Sequence, residues 1–367
     1  MLLILGLSIW CMTPSAGNQP HRQILVLSWH ASYPADSMQN AVTGLRWALS
    51  YAGAMLPEAP YAISIRQNTV SISLQDLGFD ARAMTQLERL HRKITESHEY
   101  RVCGSIDIGR YVALLIGAPE HYYRITGVPE RLEALRSGYG LIRQMGYVNK
   151  SNVSLVHRKI AFSNPQNGRQ LFIAMETDSV TGEILEFETL DLMPNGQPRF
   201  GIYDREGKRK NSASTTHSQA GKPAKCMWCH ESKISPLFRL QRDVAGYSPG
   251  AVLQRQLVAF NQRLDSVKAQ LTGGVDFSQK QQHTQAELLY ISFMEPSAQR
   301  LAREWKMPED RVRWLLRNAR THEHEEFKFL GTLYDRNEVE PLAPVKGLAV
   351  PAHVREFSPV EVNYLEP

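Results

Sequence analysis

The sequence predicts an α+β protein, and three observations carry that expectation. Apolar residues recur at helical spacing within the first 100 residues, four β-like segments separated by turn residues lie between about 150 and 205, and helical periodicity resumes beyond 245. With 367 residues, 43% of them hydrophobic, the chain can bury a sizeable core in two or three units of ordinary size. The net charge of +5 is mild, and Lys and Arg are interspersed with acids, so no nucleic-acid footprint is expected.

The N-terminal part reads as mixed. His21 to Leu27 is β-like, and Asp36 to Met55 places Met38, Val42, Leu45 and Leu49 on one helical face, with Trp47 off that stripe. Ala81 to Ser97 repeats the pattern with Met84, Leu87, Leu90 and Ile94. Ser105 to Ile125 is apolar and aromatic, and Val128 to Met145 reads as a further helix. Val153 to Phe162, Gln170 to Thr177, Glu183 to Leu192 and Arg199 to Tyr203 then read as strands. Their connectors are rich in Asn, Gly, Pro and Asp, which predicts an antiparallel meander. The polar, Ser/Thr-rich stretch Glu206 to Lys225 lacks periodicity and is expected to be a mobile surface loop. Helices are expected over Ser248 to Leu271, Asp276 to Met294, Ser297 to Trp305, Glu309 to Arg320 and Glu323 to Tyr334. The expected organisation is a leader (1–17), a mixed α/β region without an assigned role (18–150), and a meander with an attached motif (151–245). A helical region (246–340) and a Pro-rich tail (341–367) complete it.

Leu2 to Met12 is a short apolar run followed by Thr13-Pro14-Ser15-Ala16-Gly17, similar to a secretory signal peptide cleaved after Ala16 or Gly17. The run falls far short of the roughly 20 apolar residues that cross a bilayer, so no membrane span is expected. A periplasmic or otherwise extracytoplasmic location follows. Of four cysteines, Cys11 would leave with the leader, and the remaining three, Cys103, Cys226 and Cys229, argue against a disulfide framework.

The segment Lys225-Cys226-Met227-Trp228-Cys229-His230 contains C-x-x-C-H, the pattern of covalent haem attachment. Thiols three positions apart lie about one helical turn from each other and can add to two vinyl groups on one porphyrin edge. The following imidazole can then ligate the iron as its proximal ligand. A zinc site would need Cys103 or distant histidines to complete it, because no second closely spaced Cys/His pair follows. A thioredoxin-like dithiol would need a strand before the pair, where a polar loop is expected.

These residues resemble the haem-binding motif of c-type cytochromes, which implies one covalent haem c at Cys226 and Cys229 with His230 on the iron. A meander leading into a late C-x-x-C-H is also similar to the cytochrome P460 family, whose haem sits against an antiparallel sheet. Haem ligation to cysteine in c-type cytochromes is made outside the cytoplasm, in agreement with the leader.

Function then turns on the sixth iron position, filled by Met or His in electron carriers and open where substrates or gases bind. Met193, Met294, Met307, His217, His283, His322 and His324 are the candidates. Met307, in a turn between Trp305 and Pro308, could project toward a haem and is the expected distal ligand, whereas Met294 reads as core and His217 as a solvated loop residue. Thr321-His322-Glu323-His324 reads as a capped helix start rather than a metal site. The helical pairs between Ser297 and Arg320 imitate a DNA-binding hairpin but read as ordinary packing. The leading expectation is an exported monohaem cytochrome passing electrons to a redox partner protein. The alternatives are a haem enzyme or gas sensor with an open iron, taking a small-molecule substrate, and a zinc-stabilised extracytoplasmic binding protein.

Overall fold

The computed structural model describes residues 23–366, apart from 167, 235, 237, 280 and 281, and it has the expected α+β architecture. The leader expected at 1–17, with Cys11, lies outside the described residues. No helix among the described residues is long and apolar enough to cross a membrane.

The N-terminal part is built on a four-stranded sheet. Strand β1 (Ile24–Ser28) is central, antiparallel to β3 (Thr69–Ser73) and parallel to β4 (Ile106–Asp107), with β2 (Ile63–Arg66) outside β3. Helix α1 (Met38–Tyr51) starts where the Ser37 side chain accepts the Asn40 amide, and α2 (Ala81–Thr95) where Asp80 accepts that of Ala83. Both bury their expected stripes. Trp47 is also buried, against Phe277 and Tyr51, because α1 is covered on a second face by α9 (Gln282–Met294). Helix α3 (His98–Cys103) leads into β4. Helix α4 (Ile108–Val112), a π-helical turn at Ala113–Gly117 and α5 (Pro119–Thr126) form the apolar stretch. The helix expected over 128–145 is confined to α6 (Leu132–Arg136). Beyond Gly138 and Gly140 the chain is extended instead, bonding the Ile142 amide to the Phe162 carbonyl.

The meander is a five-stranded antiparallel sheet, β5 (Gly146–Val148), β6 (His157–Phe162), β7 (Leu171–Thr177), β8 (Ile184–Leu192) and β9 (Pro198–Asp204), in sequential order. Strand β5 has three residues, too few to show a period in the sequence. The stretch from 206 to 225 is not the mobile surface loop expected of it. Ser212, Ser218 and Lys222 are buried, and the Ser214 amide and Lys210 ammonium both bond Glu186, whose carboxylate is buried in the sheet. Its polar composition thus serves buried acids rather than water.

After α7 (Pro223–His230) come α8 (Gly250–Lys268), α9, α10 (Ala298–Trp305) and α11 (Glu309–Leu315). The helix expected from Glu323 is absent from the described structure. Thr321–His322 is β10, paired with β11 (Leu333–Tyr334), and only a 3-10 turn at Lys328–Leu330 lies between them before α12 (Arg336–Val339). One apolar core draws on residues from Leu25 to Leu365, so the regions divided at 150, 245 and 340 pack around a shared interior.

Helices α1 and α9 approach closely at Gly44, where an added Cβ would lie 2.5 Å from the Gln285 carbonyl oxygen. Gly44→Val is expected to lose about 1–3 kcal/mol through overpacking, seen as a lower urea midpoint.

Two buried histidines give the stability a pH dependence. Burial pushes His91 and His121 down to about 4. His121 Nδ1 donates to the Leu114 carbonyl and its Nε2 accepts the Tyr364 amide, so the neutral ring holds the chain terminus in place. A histidine whose folded pKa lies below its unfolded value takes up its proton more readily when unfolded. Stability therefore falls as pH drops through 6.5, and the loss levels off below about 4. Each ring adds a slope of up to about 1.4 kcal/mol per pH unit in that window. Denaturant midpoints measured between pH 7 and 4 should flatten in His91→Leu relative to the unmodified protein.

Candidate functional site

Helix α7 begins with Pro223 in its first turn and ends at Glu231 in the left-handed conformation. One face packs into the core through Ala224, Met227 and Trp228, whose ring meets those of Tyr51 and Tyr290. Cys226 and His230, at i and i+4, share a second face turned to the meander.

Period-2 alternation and the strand register determine what faces them. Phe162, Phe172, Leu190 and Phe200 form one cross-strand row. Ile160, Ala174, Glu188 and Ile202 form the next, and Arg158, Glu176, Glu186 and Asp204 the third. That sheet face therefore changes from apolar to charged along the strands. A cavity of about 120 Å³ lies over it, lined by Phe172, Ala174, Leu190 and Phe200 from the sheet and by Leu257 from α8. Cys226 and His230 line it from α7, and Arg158 and Glu188 mark its polar end. Cofactor and ligand sites combine apolar walls with a few placed polar groups, as this wall does, although its volume is below the roughly 300–1,000 Å³ that such sites commonly span.

Arg158 bridges Glu176 at 2.5 Å and Glu188 at 3.0 Å, and Glu188 accepts a 2.7 Å hydrogen bond from the Ser218 hydroxyl. Burial raises Glu176 to about 8 against the pull of Arg158. Burial also drives the Cys226 thiol well above its ordinary value, reinforced by Glu188, so it is a neutral thiol rather than a standing thiolate. His230 is lowered to about 4 by burial, opposed by an interaction with the Lys233 backbone; its ring lies 5.4 Å from that of Phe200, and its buried Nδ1 makes no hydrogen bond of ordinary geometry. Cys229 sits on the exposed side of α7.

The tail beyond Pro341 is coil but not loose. The Lys222 ammonium pairs with the buried Glu361 carboxylate, the Lys222 amide donates to the Arg355 carbonyl, and Lys225 pairs with Glu356 at 3.0 Å. Arg355 in turn pairs with Glu287 on α9. The start of α7 is thus strapped to the helical region.

The structure brings Cys226 and His230 together on one cavity. It does not bring Met307 there: that side chain packs in a separate cluster with Trp305, Leu301 and Val312 in the α10–α11 hairpin. Met294 is core, as expected, and Met193 lines a different cleft. His217 bonds the Thr216 hydroxyl at 2.8 Å and lies 3.9 Å from Glu186. His283 is 3.5 Å from Glu231, His322 is 3.2 Å from Glu295, and His324 stacks on Phe327. Cys103 is exposed at the end of α3, and among the described residues no group of three or more His, Cys, Asp or Glu is arranged to hold a metal ion.

Arg158, Glu188, Phe172 and Phe200 were not singled out in the sequence. Alternation along each strand places such residues on one face, but only the register aligns the four strands into a wall. The cavity wall combines apolar side chains over most of its extent, charges at one end, and the His230 imidazole beside the Cys226 thiol, a wall and donor chemistry that suits an apolar macrocycle, while Cys229 is not part of that wall. Comparison of the chain with protein-family models, with characterised proteins and with solved structures gives no match.

Proposed function

We propose that the chain is an extracytoplasmic monohaem c-type cytochrome, with haem c bonded to Cys226 and Cys229 and His230 as the proximal iron ligand. The supporting observation is a buried His230 imidazole beside Cys226 on the wall of an apolar cavity. A bound haem supplies one-electron chemistry and, where a coordination position is open, binding of small ligands. The chain's own part is to exclude water through Phe172, Leu190, Phe200 and Leu257, and to hold fixed charges at Arg158 and Glu188. A motif helix packed across an antiparallel sheet also supports the likeness to the cytochrome P460 family.

Within this reading, the cavity lining favours an iron open to a small ligand. Among the described residues, the side chains around it besides Cys226 and His230 are mainly Phe, Leu and Ile, with Arg158 and Glu188, types that do not serve as the sixth ligand of an electron carrier. Electron transfer to a redox partner protein is the second reading of the same site. Expression in a host with haem-ligation machinery tests the proposal: a reduced spectrum of thioether-bound haem is expected, and colourless protein would refute it. Carbon monoxide added to the reduced protein is expected to bind rapidly, whereas slow or absent binding would move the assignment to electron transfer.

A further inference from the structure

The turn that follows His230 is strained and is held by buried polar groups. Glu231 and Ser232 have φ of +48° and +64°, in the left-handed region that a non-glycine side chain adopts only where its surroundings over-determine it. The Ser232 hydroxyl donates to Gln197 Oε1 at 2.5 Å, and the Lys268 ammonium donates to the Ser232 carbonyl. Gln197 is itself fixed: its side-chain amide donates to the Ser50 hydroxyl at 2.7 Å, and its backbone amide to Asn195 Oδ1 at 3.1 Å. Lys268, the last residue of α8, is 7% exposed, with its ammonium 4.4 Å from the centre of the Phe277 ring. Burying an ammonium is costly, and burial lowers Lys268 to about 8, so its place against a backbone carbonyl is an expensive arrangement.

The two sides joined by these bonds are the two sides of the cavity. Ser232 lies two residues beyond His230. Gln197 immediately precedes β9, on which Phe200 faces the His230 ring. We infer that Lys268, Ser232 and Gln197 form a positioning lock that holds the end of α7 against β9 and sets how firmly the His230 imidazole can ligate the haem iron. This rests on the haem reading above. The three residues touch no reacting atom and act through His230 alone.

The lock is tested by acid titration of the ferric protein, following the spectrum for the pH at which imidazole ligation is lost, with far-ultraviolet circular dichroism recorded in parallel. Protons compete with iron for the imidazole, so a tenfold weaker iron–imidazole bond moves that midpoint up by one pH unit. Lys268→Met is expected to keep covalent haem on a denaturing gel while its midpoint rises by about one unit, and Lys268→Arg to restore most of the shift. Ser232→Gly removes the hydroxyl while suiting the positive φ, so it should stay folded and shift in the same direction. This variant decides the matter if Lys268→Met fails to fold. Unchanged midpoints in the folded variants would overturn the lock. Absence of covalent haem from the unmodified protein would instead overturn the haem assignment.

Discussion

Replacing both Cys226 and Cys229 with alanine is expected to abolish haem retained through denaturing electrophoresis, an all-or-none change from one haem per unmodified chain. The loss would be chemical rather than structural. Cys229 is exposed, and the Cys226 thiol, which packs at the edge of the core, makes one long hydrogen bond, 3.8 Å to the Lys222 carbonyl, so two alanines remove little that holds α7 in place. Alanine is also the best helix former. Circular dichroism of the double variant should therefore match that of the unmodified apoprotein. Each single variant is expected to keep one thioether and some covalent haem. His230→Ala, in contrast, should keep both thioethers while its reduced spectrum loses the signature of imidazole ligation. Haem persisting on the denaturing gel in the double variant would refute attachment at these two positions.

The largest effect on stability is expected at Asp107, far from the cavity. Its carboxylate takes two 2.9 Å bonds from one Arg300 nitrogen, bonds His30 Nδ1 at 2.8 Å, and caps α4 by accepting the Gly109 amide at 2.7 Å. Arg300 and Arg336 both bond Glu304, and Arg110 bonds Glu99 and Glu340, so the charges form one buried network around the Phe293 ring. Burial alone would raise the Asp107 pKa, but Arg300, with His30 and Arg336, outweighs it and holds the group well below the ordinary carboxylate range. Asp107→Ala leaves Arg300 buried with part of its charge uncompensated, a type of change that costs about 3–5 kcal/mol. Urea denaturation at pH 7 measures it, and a loss under about 1 kcal/mol would show that the network relaxes around the missing carboxylate.

The two predictions fall on opposite sides of what the sequence reveals. The C-x-x-C-H motif is local, because attachment chemistry needs two thiols and an imidazole within one helical turn, and five consecutive residues state that without any tertiary information. The Asp107 network bonds residues up to 230 positions apart. Each of its members reads in sequence as an ordinary surface charge, since ionisable side chains are seldom fully buried unless paired.

The same distinction runs through the fold. Strands β6 to β9 were legible from alternation and their Asn, Gly and Pro connectors, and α1, α2 and α8 to α11 from helical spacing. The stretch from 206 to 225 reads differently in the structure because Ser, Thr and Lys look solvated whether they meet water or a buried carboxylate such as that of Glu186. The helix expected from Glu323 was misread because Thr321 resembles a cap, while pairing with β11 offered its backbone a partner that no local pattern discloses.

The sequence by itself determined the α+β class, the meander and the C-x-x-C-H motif at Cys226, Cys229 and His230 on which the haem proposal rests, since periodicity and motif spacing are properties of neighbouring residues. Tertiary structure alone decided which side chains face His230, that Met307 is elsewhere, and that Lys268 and Gln197 hold the turn behind it. Those facts depend on strand register and on which elements pack together, and both are settled by burial and hydrogen-bond satisfaction across the whole chain.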